Sequence, residues 1–371
     1  MGIYARIAYR YRGEKFDNRD RQYIFCYNHQ TALDQHLMYL SLPRQPYTVA
    51  TEDIFAMGLL SRFIRYAQAP IPFKKSAADF AAVKTCVRII HEGYSIALSP
   101  EGNRTFTGVT VHIKPSIGKL IKLLRLPVAV FIVRGGYGVM PRYADKVRRG
   151  RVTGRVERVI EYEEYKDLSD EAVYELLRDA MYVDESDSGA VCKSRHQAEY
   201  LERALYICPK CGKVGTLRSK GRTFSCTACG AKAFFDDTRV FHGDFPFRTV
   251  YDWTKWQDDQ VRALPVDGGE KEPFFKERVR LRKLENGAKT VIFECAEARI
   301  FSDRLEVGEL TFRYDDISAM TICGKKRMDF YCGGVTYQLT SDKRFCALKY
   351  VNLYYHYQNR KEGIEDGFLG I

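Results

Sequence analysis

The chain contains no apolar run approaching the ~18 to 20 residues that a membrane-spanning helix requires. Its first residues, Met1-Gly2-Ile3-Tyr4-Ala5-Arg6, lack the apolar core of a secretory signal. Nor do they complete a myristoylation site, because Arg6 stands where that motif wants serine or threonine. A cytosolic or peripheral protein is therefore expected. There is no GxSxG elbow, no Walker loop and no GxGxxG fingerprint, so a covalent acyl-enzyme on serine has no support in the sequence. Internal repeats and low-complexity tracts are also absent. What is present is the composition of a globular chain, 45% hydrophobic and 29% charged over 371 residues, long enough for two or three domains. The net charge of +12 fits nucleic acid, an anionic membrane surface or phosphorylated substrates. Of eleven cysteines, four form two CxxC pairs and the others are scattered, which fits a reducing compartment without disulfides.

Strand-like and helix-like patterns alternate through the first half. Tyr23 to Tyr27 reads as a strand ending just before Asn28-His29, followed by a helix from about Ala32 to Ser41 that stops before Pro43. Between Asp53 and Ala67, Met57, Leu60, Phe63, Ile64 and Ala67 form a helical stripe that Phe55 and Leu59 widen, suiting an acyl groove, lipid contact or packing on two sides. Val83, Cys86, Val87 and Ile90 mark a helix capped by Gly93, and Tyr94 to Leu98 a strand delivering Pro100-Glu101-Gly102. A stripe of Ile117, Leu120, Ile121 and Leu124 precedes a strand over Val128 to Val133. Such alternation predicts α/β architecture with chemistry at strand ends. The basic run Arg142 to Arg158 reads either as a solvated face or as a contact for anionic headgroups, and a helix near Asp170 to Tyr182 closes the region.

His29 can take a proton near pH 7, and a carboxylate at Asp34 can fix its tautomer, which together activate a hydroxyl nucleophile. Five positions apart, the two would sit about 140° from each other on a continuous helix, so they must meet across a strand-to-helix turn. Thr31-Ala32-Leu33-Asp34 also reads as a capping-box-like helix start. Arg104 offers the planar fork that suits phosphate.

Asn28-His29-Gln30-Thr31-Ala32-Leu33-Asp34 with Pro100-Glu101-Gly102-Asn103-Arg104-Thr105 resembles the HxxxxD and EGxRS blocks of the glycerolipid acyltransferases of the 1-acyl-glycerol-3-phosphate acyltransferase type. Ile71-Pro72-Phe73-Lys74-Lys75-Ser76 is similar to that family's third block, with Lys75 where arginine is usual. Leu126-Pro127-Val128-Ala129-Val130-Phe131 is similar to the fourth, with its proline displaced. The blocks cover roughly residues 20 to 180. The resemblance implies that His29 and Asp34 are catalytic and that Lys75, Glu101, Gly102 and Arg104 bind the acceptor, the cations holding its phosphate; Lys114 is placed to add charge to the same pocket. It implies an O-acyltransferase moving a fatty acyl group from an acyl thioester, on coenzyme A or acyl carrier protein, to a lysophospholipid hydroxyl in phospholipid synthesis. Peripheral attachment to the inner face of the membrane would go with that role. The alternatives are a lipid-binding or regulatory protein that kept the fold and lost turnover, or a nucleic-acid-binding protein, which would leave the acyltransferase blocks unexplained.

Cys208-Pro209-Lys210-Cys211-Gly212 and Cys226-Thr227-Ala228-Cys229-Gly230 form the two knuckles of a four-cysteine zinc ribbon. Four protein ligands leave no open position, so Zn²⁺ is expected to be structural. From about Phe274 short alternating runs precede a final helix, roughly Lys343 to Tyr357, a pattern that resembles a pleckstrin-homology or GRAM-like module. The expected organisation is an acyltransferase-like α/β domain over 1–190 with a mixed central sheet flanked by helices, and a linker helix over 191–205. The ribbon then occupies 206–236, and a β-rich module closed by a helix fills 240–371.

Overall fold

Because successive strand residues point to opposite faces, a strand apolar at every position must be buried on both sides. The segments IFCY and VAVFIVR are of that kind, and the structure, a computed structural model, covers both faces of the sheet they form. It describes residues 2–51, 69–73, 80–266, 268–269, 272–285, 288–365 and 367–370. The helix expected over 53–67, and Lys75, lie outside the described residues. The chain divides into two compact units, one comprising 1–142 and 147–193, the other 143–146 and 194–371.

In the first unit, α1 (Gly2–Ala8) and β1 (Arg12–Gly13) lead to β2 (Ile24–Tyr27), α2 (Asp34–Tyr39), β3 (Tyr47–Thr51) and β4 (Ile71–Phe73). There follow α3 (Phe80–His91), β5 (Ile96–Leu98), α4 (Ser116–Leu124), β6 (Val128–Arg134), the turn α5 (Gly136–Val139), β7 (Thr153–Ile160), α6 (Tyr162–Tyr165) and α7 (Asp170–Met181). The seven-stranded sheet runs β1-β7-β6-β2-β5-β3-β4. It is mixed: β6 and β7 pair antiparallel, whereas β1 with β7, and β6, β2, β5, β3 and β4 among themselves, pair in parallel. Ile24, Cys26, Val128, Val130 and Ile132 face a core completed by α3, α4 and α7. The alternate residues Phe25, Tyr27, Ala129, Phe131 and Val133 face Ala5, Tyr9, Leu37 and Met38 from the N-terminal segment and α2. Helix α4 approaches α7 so closely that a Cβ on Gly118 would lie 2.1 Å from the Asp170 carbonyl oxygen.

The second unit begins without the expected linker helix. Residues 191–205 hold only the 3-10 turn Leu201–Arg203, because Tyr200 adopts a left-handed φ of 69° and the Tyr200 amide is taken by the Ser219 hydroxyl. A four-stranded antiparallel sheet follows: β8 (Leu217–Lys220), β9 (Thr223–Cys226), β10 (Lys232–Phe235) and β11 (Phe241–Gly243), in the order β11-β10-β9-β8. Phe224 and Phe241 of this sheet, with Phe245 just beyond it, converge on the fully buried Trp253 of α8 (Val250–Arg262), whose indole donates to the Ile207 carbonyl at 3.1 Å. Thr249 and Asp252 form a capping box that starts α8.

The C-terminal strands are β12 (Phe275–Glu285), β13 (Ala288–Ile300), β14 (Arg304–Val307), β15 (Leu310–Arg313), β16 (Ile317–Ile322), β17 (Met328–Cys332) and β18 (Val335–Thr340). They make one antiparallel sheet in the order β15-β14-β13-β12-β18-β17-β16. Helix α9 (Leu348–Lys361) buries Tyr350, Val351 and Tyr354 against it, and the Tyr354 hydroxyl donates to Ile317 O at 2.8 Å.

Candidate active site

Strands β2 and β5 are parallel neighbours with Cys26 opposite Leu98. His29 and Glu101 each lie three residues further on, so the sheet delivers both to the same edge. Asn28 extends the ladder with its side chain. Its amide donates to Val133 O at 2.9 Å and its carbonyl accepts from Val133 N at 2.7 Å, which fixes the chain immediately before the histidine.

His29 Nδ1 lies 2.9 Å from Asp34 Oδ2. A carboxylate can only accept here, so the proton sits on Nδ1 and the Nε2 lone pair is left to act as a base. The Asp34 side chain has no solvent exposure, whereas that of His29 is 27% exposed. Asp34 is held by Thr31, whose amide donates to Oδ2 at 2.7 Å and whose hydroxyl donates to Oδ1 at 2.8 Å. Thr31 therefore does not cap α2 as the capping-box reading expected. Its hydroxyl accepts from Leu33 N and the helix cap is Leu33, without a side-chain bond. The pair does meet across a strand-to-helix turn.

Burial lowers the proton affinity of His29, Asp34 opposes that through its hydrogen bond and charge, and the cations of Arg104 and Arg142 lower it further. The net effect is a lowering from the ordinary value of 6.5, which favours the neutral, proton-accepting imidazole.

Glu101 is fully occupied. Oε1 accepts from His29 N at 2.8 Å and Oε2 from Val111 N at 3.0 Å. The histidine backbone is also tied by Thr105 N donating to His29 O at 3.0 Å. Glu101 therefore positions the base. Burial pushes its carboxyl up to about 8, against the two amides that favour the ionised form.

Arg104 sits in the same loop with Nη1 buried and without a hydrogen-bond partner among the described residues. Burial lowers the pKa of its guanidinium, while the charge of Asp34 works the other way. An orphaned cationic donor of this kind leaves a charge-assisted bond available to an anion. Its backbone is fixed by Arg142 Nη1 donating to Arg104 O at 2.8 Å, and Arg142 stacks on Phe106 at 4.6 Å. Gly102 has φ 63°, and a Cβ placed on it would meet no atom within 4 Å, so it permits the turn and leaves open space beside it. Lys114 is exposed and bears on His112.

From sequence, Asn28, Gln30 and Arg142 stand out only as part of the first block and of the basic run; their positioning roles carry no sequence signal. Gln30 accepts from Tyr137 N at 3.0 Å, and a Cβ on Gly136 would come within 2.8 Å of Thr31. The basic run 142–158 is not one face: Arg142 and Arg148 are buried, Arg155 and Arg158 are paired with glutamates, and Arg149 and Arg151 are exposed.

In the second unit, the Sγ atoms of Cys208, Cys211, Cys226 and Cys229 all lie within 4.8 Å of one another, with 3.8 Å between Cys208 and Cys229 and between Cys211 and Cys226. A tetrahedron with metal–sulfur bonds of about 2.3 Å has edges of about 3.8 Å, so the four thiolates fit one metal ion. The knuckles are built alike. Gly212 N donates to Cys208 O and Gly230 N to Cys226 O, with φ of 69° and 77° at the glycines.

Residues 8–134 match the family model described as Acyltransferase. A protein described as 1-acyl-sn-glycerol-3-phosphate acyltransferase from Cocos nucifera is 24% identical over 188 residues, 49% of this chain and 60% of that relative. The chain thus spans under two thirds of that relative's length. The crystal structure of the 1-acyl-sn-glycerophosphate (LPA) acyltransferase PlsC from Thermotoga maritima covers 46% of this chain and 71% of its own, with 18% identity and a TM-score of 0.37.

Proposed function

We propose that the protein, whose residues 8–134 match the Acyltransferase family model, is an O-acyltransferase that moves a fatty acyl group from an acyl thioester, on coenzyme A or acyl carrier protein, to the free hydroxyl of a lysophospholipid, most simply 1-acyl-glycerol-3-phosphate. The observation that carries this reading is the His29 Nδ1 to Asp34 Oδ2 contact of 2.9 Å beside the unpartnered Arg104 Nη1, a base and an anion site on one strand edge.

His29 Nε2 removes the proton from the acceptor hydroxyl as its oxygen attacks the thioester carbonyl, and Asp34 stabilises the imidazolium. The tetrahedral intermediate collapses by breaking the carbon–sulfur bond, and the thiolate takes the proton back from His29. Arg104 holds the acceptor phosphate and so positions the hydroxyl. Lys75 has the same assignment on the sequence alone. Glu101 acts through His29, and the room beside Gly102 suits an approaching headgroup.

Peripheral attachment to an anionic membrane surface on the cytoplasmic side belongs to the same reading. No helix among the described residues is long and apolar enough to cross a membrane. Ile3 and Ile7, one turn apart on α1, are 78% and 73% exposed, which suits shallow insertion. The metal of the four cysteines is proposed to be a structural zinc ion, which a saturated thiolate set selects.

The test is acyl transfer by the purified chain from labelled thioesters to a panel of lysophospholipids, with His29→Ala alongside. Loss of a general base is expected to slow turnover by at least ~100-fold with the fold intact. Near-normal turnover in that variant would sink the mechanism.

A further inference from the structure

A cavity of about 720 Å³ in the first unit is lined by Arg6, Arg10, Arg12, Arg149, Arg151 and Lys193, with no acidic side chain in its wall. None of the six forms an ion pair among the described residues, although many exposed arginines of this chain do, Arg134 with Glu157 and Arg158 with Glu164 among them. Six unneutralised cations in one concavity repel one another, a cost the free protein carries unless an anion relieves it. The backbone that carries several of these cations is tied together. Arg12 N donates to Val152 O at 2.9 Å and Val152 N to Tyr9 O at 3.1 Å. Arg149 and Lys193 exchange both backbone hydrogen bonds at 3.0 Å, so three chain segments are tied into one frame. Buried Tyr11 closes the floor, its hydroxyl donating to Leu37 O at 2.8 Å.

From this arrangement we infer a second anion-binding site, formed by residues other than His29, Asp34 and Arg104, for a soluble small molecule carrying two or more phosphate groups. A phosphate monoester brings about −1.5 to −2 charges, too few for six cations, whereas a di- or triphosphate approaches the balance. Five of the six are arginines, whose forks bind phosphate oxygens in pairs. The volume falls within the ~300 to 1,000 Å³ of small-molecule sites. A flat bilayer can meet the rim of such a concavity but not its interior, so a soluble ligand fits better than a lipid surface.

The test uses the full chain with its metal. Binding of inorganic phosphate, pyrophosphate and tripolyphosphate is measured by titration calorimetry. Affinity should rise by at least tenfold from phosphate to tripolyphosphate. Two variants take cations from different walls, Arg10→Ser with Arg12→Ser and Arg149→Ser with Arg151→Ser, and each should weaken tripolyphosphate by tenfold or more. Both should melt like the parent and bind anionic vesicles as it does, and His29→Ala should bind tripolyphosphate normally. Absence of tripolyphosphate binding by the parent would overturn the inference, as would parental affinity in either double variant. Loss of vesicle binding with unchanged tripolyphosphate binding would assign the cations to a membrane instead. Acyl transfer enters none of these readouts, so failure of the enzymatic reading leaves the inference standing and the reverse holds too.

Discussion

The chemistry of the site turns on opposing pressures at one imidazole. Burial lowers the proton affinity of His29 and Asp34 raises it, with a net lowering from the ordinary 6.5, so the acid limb of kcat/KM is expected below pH 6.5. Asp34→Asn removes the raising influence. The limb should then move to still lower pH while the rate falls by ~100-fold or more. Arg104→Ala removes a repelling cation, so its limb should move up as the KM of the acceptor rises and that of the donor stays put. A pH profile of the two variants decides, and shifts in the same direction would contradict the electrostatic account. Glu101 makes a separate prediction. Its carboxyl pKa is raised by burial from 4.5 to about 8, so its contribution to stability is full below 4.5 and is lost as the pH rises towards 8. Glu101→Gln should therefore flatten Tm against pH across that window and, with only one acceptor oxygen for two amides, lower kcat by displacing His29. Unchanged pH dependence of Tm would show that Glu101 stays ionised throughout.

At the scale of elements, the strand-then-motif pattern was legible because β2 and β5 are continuous apolar runs that stop directly before polar, catalytic-looking text. That His29 and Asp34 meet across a turn followed from helical geometry. Sequence could not show that Glu101 is spent on His29 N and Val111 N, since that depends on Cys26 pairing with Leu98 across the sheet. The linker expected to be helical reads as one because Ala, Glu, Leu and Arg favour helices. The left-handed turn at Tyr200, tied to Ser219 nineteen residues away, overrides that preference. Gly118 was likewise silent. It lies inside the stripe of α4, where an alanine would gain about 1 kcal/mol of helix propensity. Against this, its Cβ would lie 2.1 Å from the Asp170 carbonyl oxygen and 3.0 Å from Tyr174 N, both backbone atoms that cannot rotate away. Overpacking of about 1–3 kcal/mol outweighs the propensity. Gly118→Ala should therefore lower the denaturation midpoint, and an unchanged or raised midpoint would show that α4 and α7 separate without cost.

Across the whole molecule, the four clustered cysteines and the proposed catalytic residues belong to different units. The first unit is held by the two faces of its mixed sheet, which need no metal. The ribbon has three short strands, β8, β9 and β10; structural zinc contributes an apparent ~10–16 kcal/mol in small domains, comparable with or larger than the roughly 5–15 kcal/mol that stabilises a whole domain. Metal removal should therefore act within the second unit. The purified chain is expected to carry about one zinc ion, since four thiolates saturate one. With a strong chelator, or in a Cys208→Ser with Cys211→Ser variant, amide hydrogen exchange should accelerate over residues 206–236, where the knuckle amides of Gly212 and Gly230 lose their purpose. Strands β2 and β6 should keep their protection, because Phe25, Cys26, Val130 and Phe131 remain fully buried. Simultaneous loss of protection in β2 and β6 at the same chelator concentration would show that the two units unfold as one. Absence of any bound metal in protein purified under reducing conditions would remove the structural role of the cluster altogether.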